Sequence, residues 1–226
     1  TAEYDAINSW LWNKLLIMQT SYESEMELYN YARALEQVEQ FFCRDFCDNY
    51  LELVKDRLFN PALYTTAEVT NTKATLYAAG YQLLKLYAPF IPHATETIYQ
   101  AIYRAHEHTP SLHTANTAPE QWAQCTGAVR LAVESLSAAI AHTEQLLTLV
   151  GHVRKLKSEL QCSLKTEISC LTIHTIDASL QSFLTTQDAT IRGITRARSI
   201  NFSATMIEKN RGELSGEQMT AHVGIE

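Results

Sequence analysis

Two sets of side chains in this sequence have the types and spacing for anion chemistry. Arg44, Asn49, Lys55 and Arg57 fall within a single run, FFCRDFCDNYLELVKDRL. Arg154, Lys155 and Lys157 crowd a second run, and Lys165, Arg192, Arg196 and Arg198 follow it. Guanidinium and ammonium groups bind phosphate oxygens, and Arg or Asn side chains can also pair with the edges of nucleobases. Each set has a purely structural reading beside this one. For Arg57 and for Lys55, which stands three residues beyond Glu52, it is pairing with neighbouring acids along a helix. Cations such as Arg154, Lys155 and Lys157 suit the negative end of a helix dipole.

Other chemistries find less support. His93, His106, His108 and His113 fit no closed zinc spacing, and no cysteine pair completes one. Cys43 and Cys47 share a helix face, where two thiols without further ligands read as small buried residues. No Ser/His/Asp order, poised carboxylate pair or Gly-rich phosphate loop appears, so no residue is assigned as catalytic and none as a metal ligand. Five cysteines, at 43, 47, 125, 162 and 170, do not make a disulfide framework and suit a reducing cytoplasm. No long apolar run indicates a membrane span.

These residues need elements to hold them. Phe42, Phe46, Tyr50, Leu53 and Val54 recur three or four apart, and Leu28, Tyr31, Leu35 and Val38 continue the stripe upstream. One helix is predicted from Glu27 to Phe59, ended by Asn60-Pro61. Before it, Ile7, Leu11, Leu15 and Met18 predict a helix over residues 3–23, with Trp10 and Trp12 in packing roles and a polar break at Glu23–Glu27. After it, Leu76, Ala79, Leu83 and Leu86 predict a third helix ending near Ala88. Pro89 and Pro92 separate it from a fourth, which carries Ile98 and Ile102 inward. A fifth long helix is expected from about Gly127 to Leu160, bent near Gly151. Beyond Gln161 the period changes to alternation. Strands are expected at Ile168–Ile173, at Ala197–Ser203 and near 220–225, with a short helix at Leu180–Leu184. The fold class is therefore mainly α: an antiparallel helical bundle with a small C-terminal α/β appendage, divided as residues 1–122 and 123–226. Charge divides unevenly too: Lys and Arg number 9 against 17 acids in residues 1–150, and 9 against 8 in 151–226. The later part is the better place for an anionic partner.

Phe46-Cys47-Asp48, Tyr50-Leu51-Glu52, Lys55, Arg57 and Leu58 resemble the signature F-x-W-x-x-F-C-D-W-Y-[IL]-E-x-x-K-x-R-L of the anticodon-binding helical domain of class I aminoacyl-tRNA synthetases, in its valyl form. Cys43 and Asn49 stand where that signature has Trp. Further segments agree. Asn8-Ser9-Trp10-Leu11-Trp12 resembles the entry of the domain. The Pro89–Pro92 hinge with Thr95-Glu96-Thr97-Ile98-Tyr99, and Ser111-Leu112-His113, resemble two later motifs. Val153–Glu159, Ser163–Glu167 and Ile191–Ala197 are similar to segments of the smaller, archaeal-like valyl enzymes.

The resemblance implies a tRNA partner, valine tRNA, gripped at its anticodon stem-loop. Bases in such a loop unstack onto side chains, and cations follow the backbone. It implies further that catalytic and editing domains lie elsewhere in a longer parent chain. The nucleotide-binding signatures of the class, His-x-Gly-His and Lys-Met-Ser-Lys-Ser, are missing here. ATP and magnesium are accordingly expected of the parent enzyme, with no cofactor in this chain. Three readings stay open at this point: an RNA-binding module of the valyl enzyme, the same module of an isoleucyl or leucyl enzyme, and a helical protein-interaction scaffold.

Overall fold

The computed structural model describes residues 5–115, 133, 135–159, 161–175, 177–203, 213–216 and 219–224. The chain folds as two compact units, one of Thr1–Leu51 with Thr66–Ser137 and one of Glu52–Thr65 with Ala138–Glu226. The expected domain boundary at residue 122 lies outside the described residues, as does the expected start of the fifth helix.

In the first unit, α1 (Ala6–Glu27) begins where Asp5 Oδ1 accepts the N–H of Asn8 at 2.9 Å. Its buried residues Ile7, Trp10, Leu11, Leu15, Met18 and Tyr22 recur at helical spacing, with Trp10 wholly enclosed. The helix outruns its expected end because nothing between Glu23 and Glu27 breaks it. The turn comes at Leu28–Asn30 instead, where Tyr29 takes φ 59° and the Asn30 N–H bonds back to Glu25 O at 2.8 Å. Leu28 and Tyr31, expected on the buried stripe, flank this turn and are exposed.

The second long helix is not uniform. It runs as α2 (Tyr31–Gln40), a wide π-helical stretch over Phe41–Tyr50, and α3 (Leu51–Phe59). Hydrogen bonds from i to i+5 widen the turn, so the buried positions become Phe41, Asp45, Phe46 and Tyr50. Phe42, expected on that face, moves to its edge, stacked on Phe46 with ring centroids 6.2 Å apart and meeting Tyr87 edge-on at 6.1 Å. Tyr50 donates to Asn8 Oδ1 at 2.6 Å, which ties the second helix to the N-terminal turn of α1.

After Pro61–Leu63, a single 3-10 turn, α4 (Thr66–Tyr87) forms as its periodicity predicts. Pro92 occupies the first turn of α5 (Pro92–Ile98), where its missing N–H costs nothing. A second π-helical stretch, Tyr99–Tyr103, leads into α6 (Arg104–Glu107). The wide turn again shifts the buried face, so Tyr99 and Tyr103 point inward while Ile98 and Ile102 are exposed, contrary to expectation. Tyr103 stacks on Tyr81 at 5.2 Å and lies 4.8 Å from Tyr77. A methyl group at Gly80 would sit 2.5 Å from the Tyr103 hydroxyl, so only glycine admits that ring.

In the second unit, α7 (Ser137–Glu159) is continuous through Gly151. It buries Ile140, Leu146, Leu149, Val150, Val153 and Leu156, while Leu147 is only half-buried. Among the described residues four strands follow: β1 (Ile168–Thr175), β2 (Ala197–Ser203), β3 (Glu213–Gly216) and β4 (Met219–Gly224). They lie in the order β2-β1-β4-β3, with β1 and β2 parallel and the β1–β4 and β4–β3 pairs antiparallel. The parallel pair requires a crossover, supplied by α8 (Ala178–Thr186) and α9 (Asp188–Thr195). Asp177 caps α8 through the Ser179 N–H at 2.8 Å. The alternation in sequence located β1, β2 and β4. It did not locate α9, whose eight residues are too few to display a period, or β3. No described helix is long and apolar enough to cross a membrane.

Candidate nucleic-acid interface

On the first unit, Arg44 and Asn49 ride the π-helical stretch. Arg44 is exposed and directs Nε and Nη2 onto the two oxygens of Asp45, at 3.1 and 3.2 Å. Asn49 is half-buried. The loop after α6 is held from the α5 side. Glu96 Oε2 accepts the Ser111 hydroxyl at 3.0 Å and the Leu112 N–H at 2.9 Å, while Gln100 Nε2 donates to Oε1 at 2.6 Å. Two motifs read separately in the sequence, Thr95–Tyr99 and Ser111–His113, thus meet on one carboxylate. The Gln100 amide, seconded by Ser111 and Leu112, holds that carboxyl below its usual range against the opposing effect of burial. A depressed folded-state pKa gives stability that is fully present above the ordinary carboxylate pKa and lost as pH falls through the depressed one. Titrating Glu96 by carboxyl NMR is expected to give a midpoint below about 4.3, the ordinary glutamate value. A midpoint at or above that value would show that the loop contacts do not persist in solution. Three of these four histidines have local structural roles: His113 Nε2 lies 3.3 Å from Pro92 O, His106 meets Tyr77 edge-on, and His108 ends α6 at φ 57°. Among the described residues, no group of three or more His, Cys, Asp or Glu side chains could hold a metal ion.

On the second unit, Lys55 and Arg154 share one acid. Lys55 Nζ lies 2.6 Å and Arg154 Nη2 2.9 Å from Glu52 Oε2. Arg57, expected to reach a base or a phosphate, is wholly buried. Its guanidinium lies 5.7 Å over the Tyr64 ring and its Nη2 is 3.5 Å from Gln187 Oε1. Helical spacing explains the difference, since Arg57 stands three and four residues beyond Val54 and Leu53 and shares their buried face. Lys157 is likewise an interior residue, 1% exposed. Its Nζ donates to Leu164 O at 3.1 Å, Thr166 O at 2.6 Å and Thr195 O at 2.8 Å. One ammonium therefore fastens the end of α7 to the turn before β1 and to the end of α9. Burial pushes its pKa below the ordinary lysine range, and the Arg196 charge adds to this. A phosphate cannot displace three internal carbonyls without opening the unit, so Lys157 is removed from the expected RNA contacts.

The remaining cations are exposed, and most are matched by an acid. Lys155 faces Glu159 at 3.9 Å, Arg192 faces Asp188 at 2.9 Å and Arg198 faces Glu167 at 2.9 Å. Lys165 and Arg196 are also exposed. Gly193 explains why Ile191–Ala197 carries glycine: an added methyl group would lie 2.6 Å from Asp56 Cγ. Asp56 accepts the Tyr64 hydroxyl at 2.9 Å and the Asn60 amide at 2.7 Å, so it cannot easily yield. Sequence reasoning missed Glu96 and Asp56 as organising residues, although both sit inside the recognised motifs or beside them.

Comparison with known proteins gives a family and several relatives. The family described as the anticodon-binding domain of tRNA ligase matches residues 8–173. The valine–tRNA ligase of Rickettsia akari is 32% identical over 202 residues, covering 89% of this chain and 22% of that protein. That of Rickettsia felis is 33% identical over 202 residues, with 89% and 21% covered. That of Rickettsia prowazekii is 32% identical over 204 residues, with 90% and 22% covered. The chain thus spans about a fifth of the length of the curated relatives it matches.

Proposed function

The chain belongs to the anticodon-binding domain family of tRNA ligases, and from that premise we propose that it binds the anticodon stem-loop of valine tRNA on behalf of a valine–tRNA ligase in the cytoplasm. The observation that carries the reading is the similarity to valine–tRNA ligases over 89% of the chain, which takes in both units. The loop bases meet the first unit, where Arg44 and Asn49 offer hydrogen-bonding groups beside the half-exposed Phe42 ring. The stem backbone follows the cations of the second. Specificity rests on the adenine and cytosine common to valine anticodons. Catalytic and editing domains of the parent chain are the remaining partners, and ATP with magnesium serves the parent alone. Accordingly, the isolated chain is expected to show no valine-dependent ATP–pyrophosphate exchange.

The deciding experiment is a ratio. Affinity for the valine stem-loop is compared, at fixed salt, with affinity for a loop changed at the middle anticodon base. A base edge that is read is worth about 1–3 kcal/mol, or roughly five- to 150-fold. A ratio near one, under conditions where the cognate loop binds, would leave no base recognition to explain.

A further inference from the structure

We propose that Lys165 and Arg196 form a phosphodiester-binding site on the second unit, one that takes a single stretch of RNA backbone; the inference rests on the reading of the chain as a stem-loop binder. The observation is a difference among the cations of this unit. Lys55, Arg154, Lys155, Arg192 and Arg198 each lie within 4 Å of a carboxylate, at 2.6, 2.9, 3.9, 2.9 and 2.9 Å. Among the described residues, no carboxylate pairs with Lys165 or Arg196, and both are exposed. These two are not scattered. Lys165 stands between Leu164 and Thr166, whose carbonyls take two of the Lys157 hydrogen bonds, and Arg196 directly follows Thr195, whose carbonyl takes the third. The buried ammonium thus holds the backbone on both sides of Lys165 and just before Arg196 to one point.

The backbone there is also fixed. Arg196 sits at φ 61°, with its N–H bonded to Arg192 O at 2.9 Å and its carbonyl accepting the Ile168 N–H at 2.9 Å. The turn carrying Lys165 is closed by the Lys165 N–H on Ser163 Oγ at 3.2 Å and the Thr166 N–H on Ser163 O at 2.9 Å. A left-handed arginine is a conformation that side chains other than Gly, Asn and Asp seldom take. Two long cations borne on neighbouring, fixed stretches of backbone suit the two anionic oxygens of one phosphate.

The test uses the 226-residue chain and a charge-matched pair of double variants. Lys165→Ala with Arg196→Asn removes the site, asparagine being chosen because it tolerates a positive φ. Lys155→Ala with Arg192→Ala removes the same charge from cations that already face acids. Stem-loop affinity is measured across a salt series. The first variant is expected to lower the slope of log affinity against log salt by about 1.4–1.8, two contacts at roughly 0.7–0.9 each. The second is expected to lower it by less than half as much. Equal losses in both would reveal a diffuse positive field, and no loss in the first would mean no contact; either overturns the site. Inorganic phosphate is titrated in parallel against the backbone amides of residues 164–166 and 195–197. If no stem-loop binds, the proposed function fails, and this second titration still decides the site. Amide shifts that vanish in the first variant uphold a phosphate site, and their absence removes it.

Discussion

Lys157→Met is expected to destabilise the second unit by about 3–5 kcal/mol, since each buried acceptor left without a partner costs roughly 1–3 kcal/mol. Three carbonyls lose their donor at once: Leu164 O, Thr166 O and Thr195 O. Methionine matches the length and apolar stem of lysine, so the loss is not a cavity effect. The lower part of the summed range applies because Lys165 and Arg196 next to these carbonyls are exposed, and water can reach some of the orphaned oxygens. The fastening spans the end of α7, the turn before β1 and the end of α9, which makes the effect cooperative rather than local. Hydrogen exchange at the β1 and β2 amides measures it directly, because those strands pair across the same junction. A loss below about 1 kcal/mol would show that these hydrogen bonds add little beyond what water supplies.

How far the sequence foretold this fold depends on which periodicity each element obeys. α1, α4 and α7 follow the ordinary helical repeat, and their buried residues are legible one by one, Trp10, Leu83 and Val153 among them. Alternation placed β1 and β2 for the same reason. The errors cluster where the repeat widens. Phe41–Tyr50 and Tyr99–Tyr103 are π-helical, which exchanges Phe42 for Phe41 and Ile98 and Ile102 for Tyr99 and Tyr103. Nothing in residue types alone announces a wide turn, because its hydrogen bonds are made by the backbone. The site was legible as chemistry but not as geometry. Cations four residues from an acid could be foreseen as surface pairs, and Lys155 and Arg192 are such pairs, whereas Arg198 meets Glu167 from far along the chain. Burial of a charge could not, since the carbonyls that stabilise Lys157 come from residues 164, 166 and 195, far along the chain from it. The Glu96 contacts to Ser111 and Leu112 escaped for the same reason.

Arg57→Ala is expected to cost about 3–5 kcal/mol of stability, in the range of large buried truncations, while leaving the ratio of cognate to altered stem-loop unchanged. The side chain is 0% exposed, so its removal opens a cavity lined by Tyr64 and Gln187. Part of the loss is electrostatic. A guanidinium 5.7 Å from the Tyr64 ring centroid gains from the ring's negative face, by about 2 kcal/mol where water is excluded. Arg57→Met restores most of the volume without the charge. It should therefore recover the packing share of the stability and leave the cation–π share missing, so that the two variants divide the effect. Lys55 gives the contrast, being half-buried with its ammonium paired to Glu52 at 2.6 Å. Lys55→Ala should change stability by no more than about 0.5 kcal/mol, as exposed helix pairs do. The measurements are denaturant unfolding of each variant and the stem-loop ratio on the folded protein. If Arg57→Ala unfolded like the unsubstituted chain but lost affinity only for the cognate loop, Arg57 would be a base contact after all, and the buried position described for it would not be the one that meets RNA.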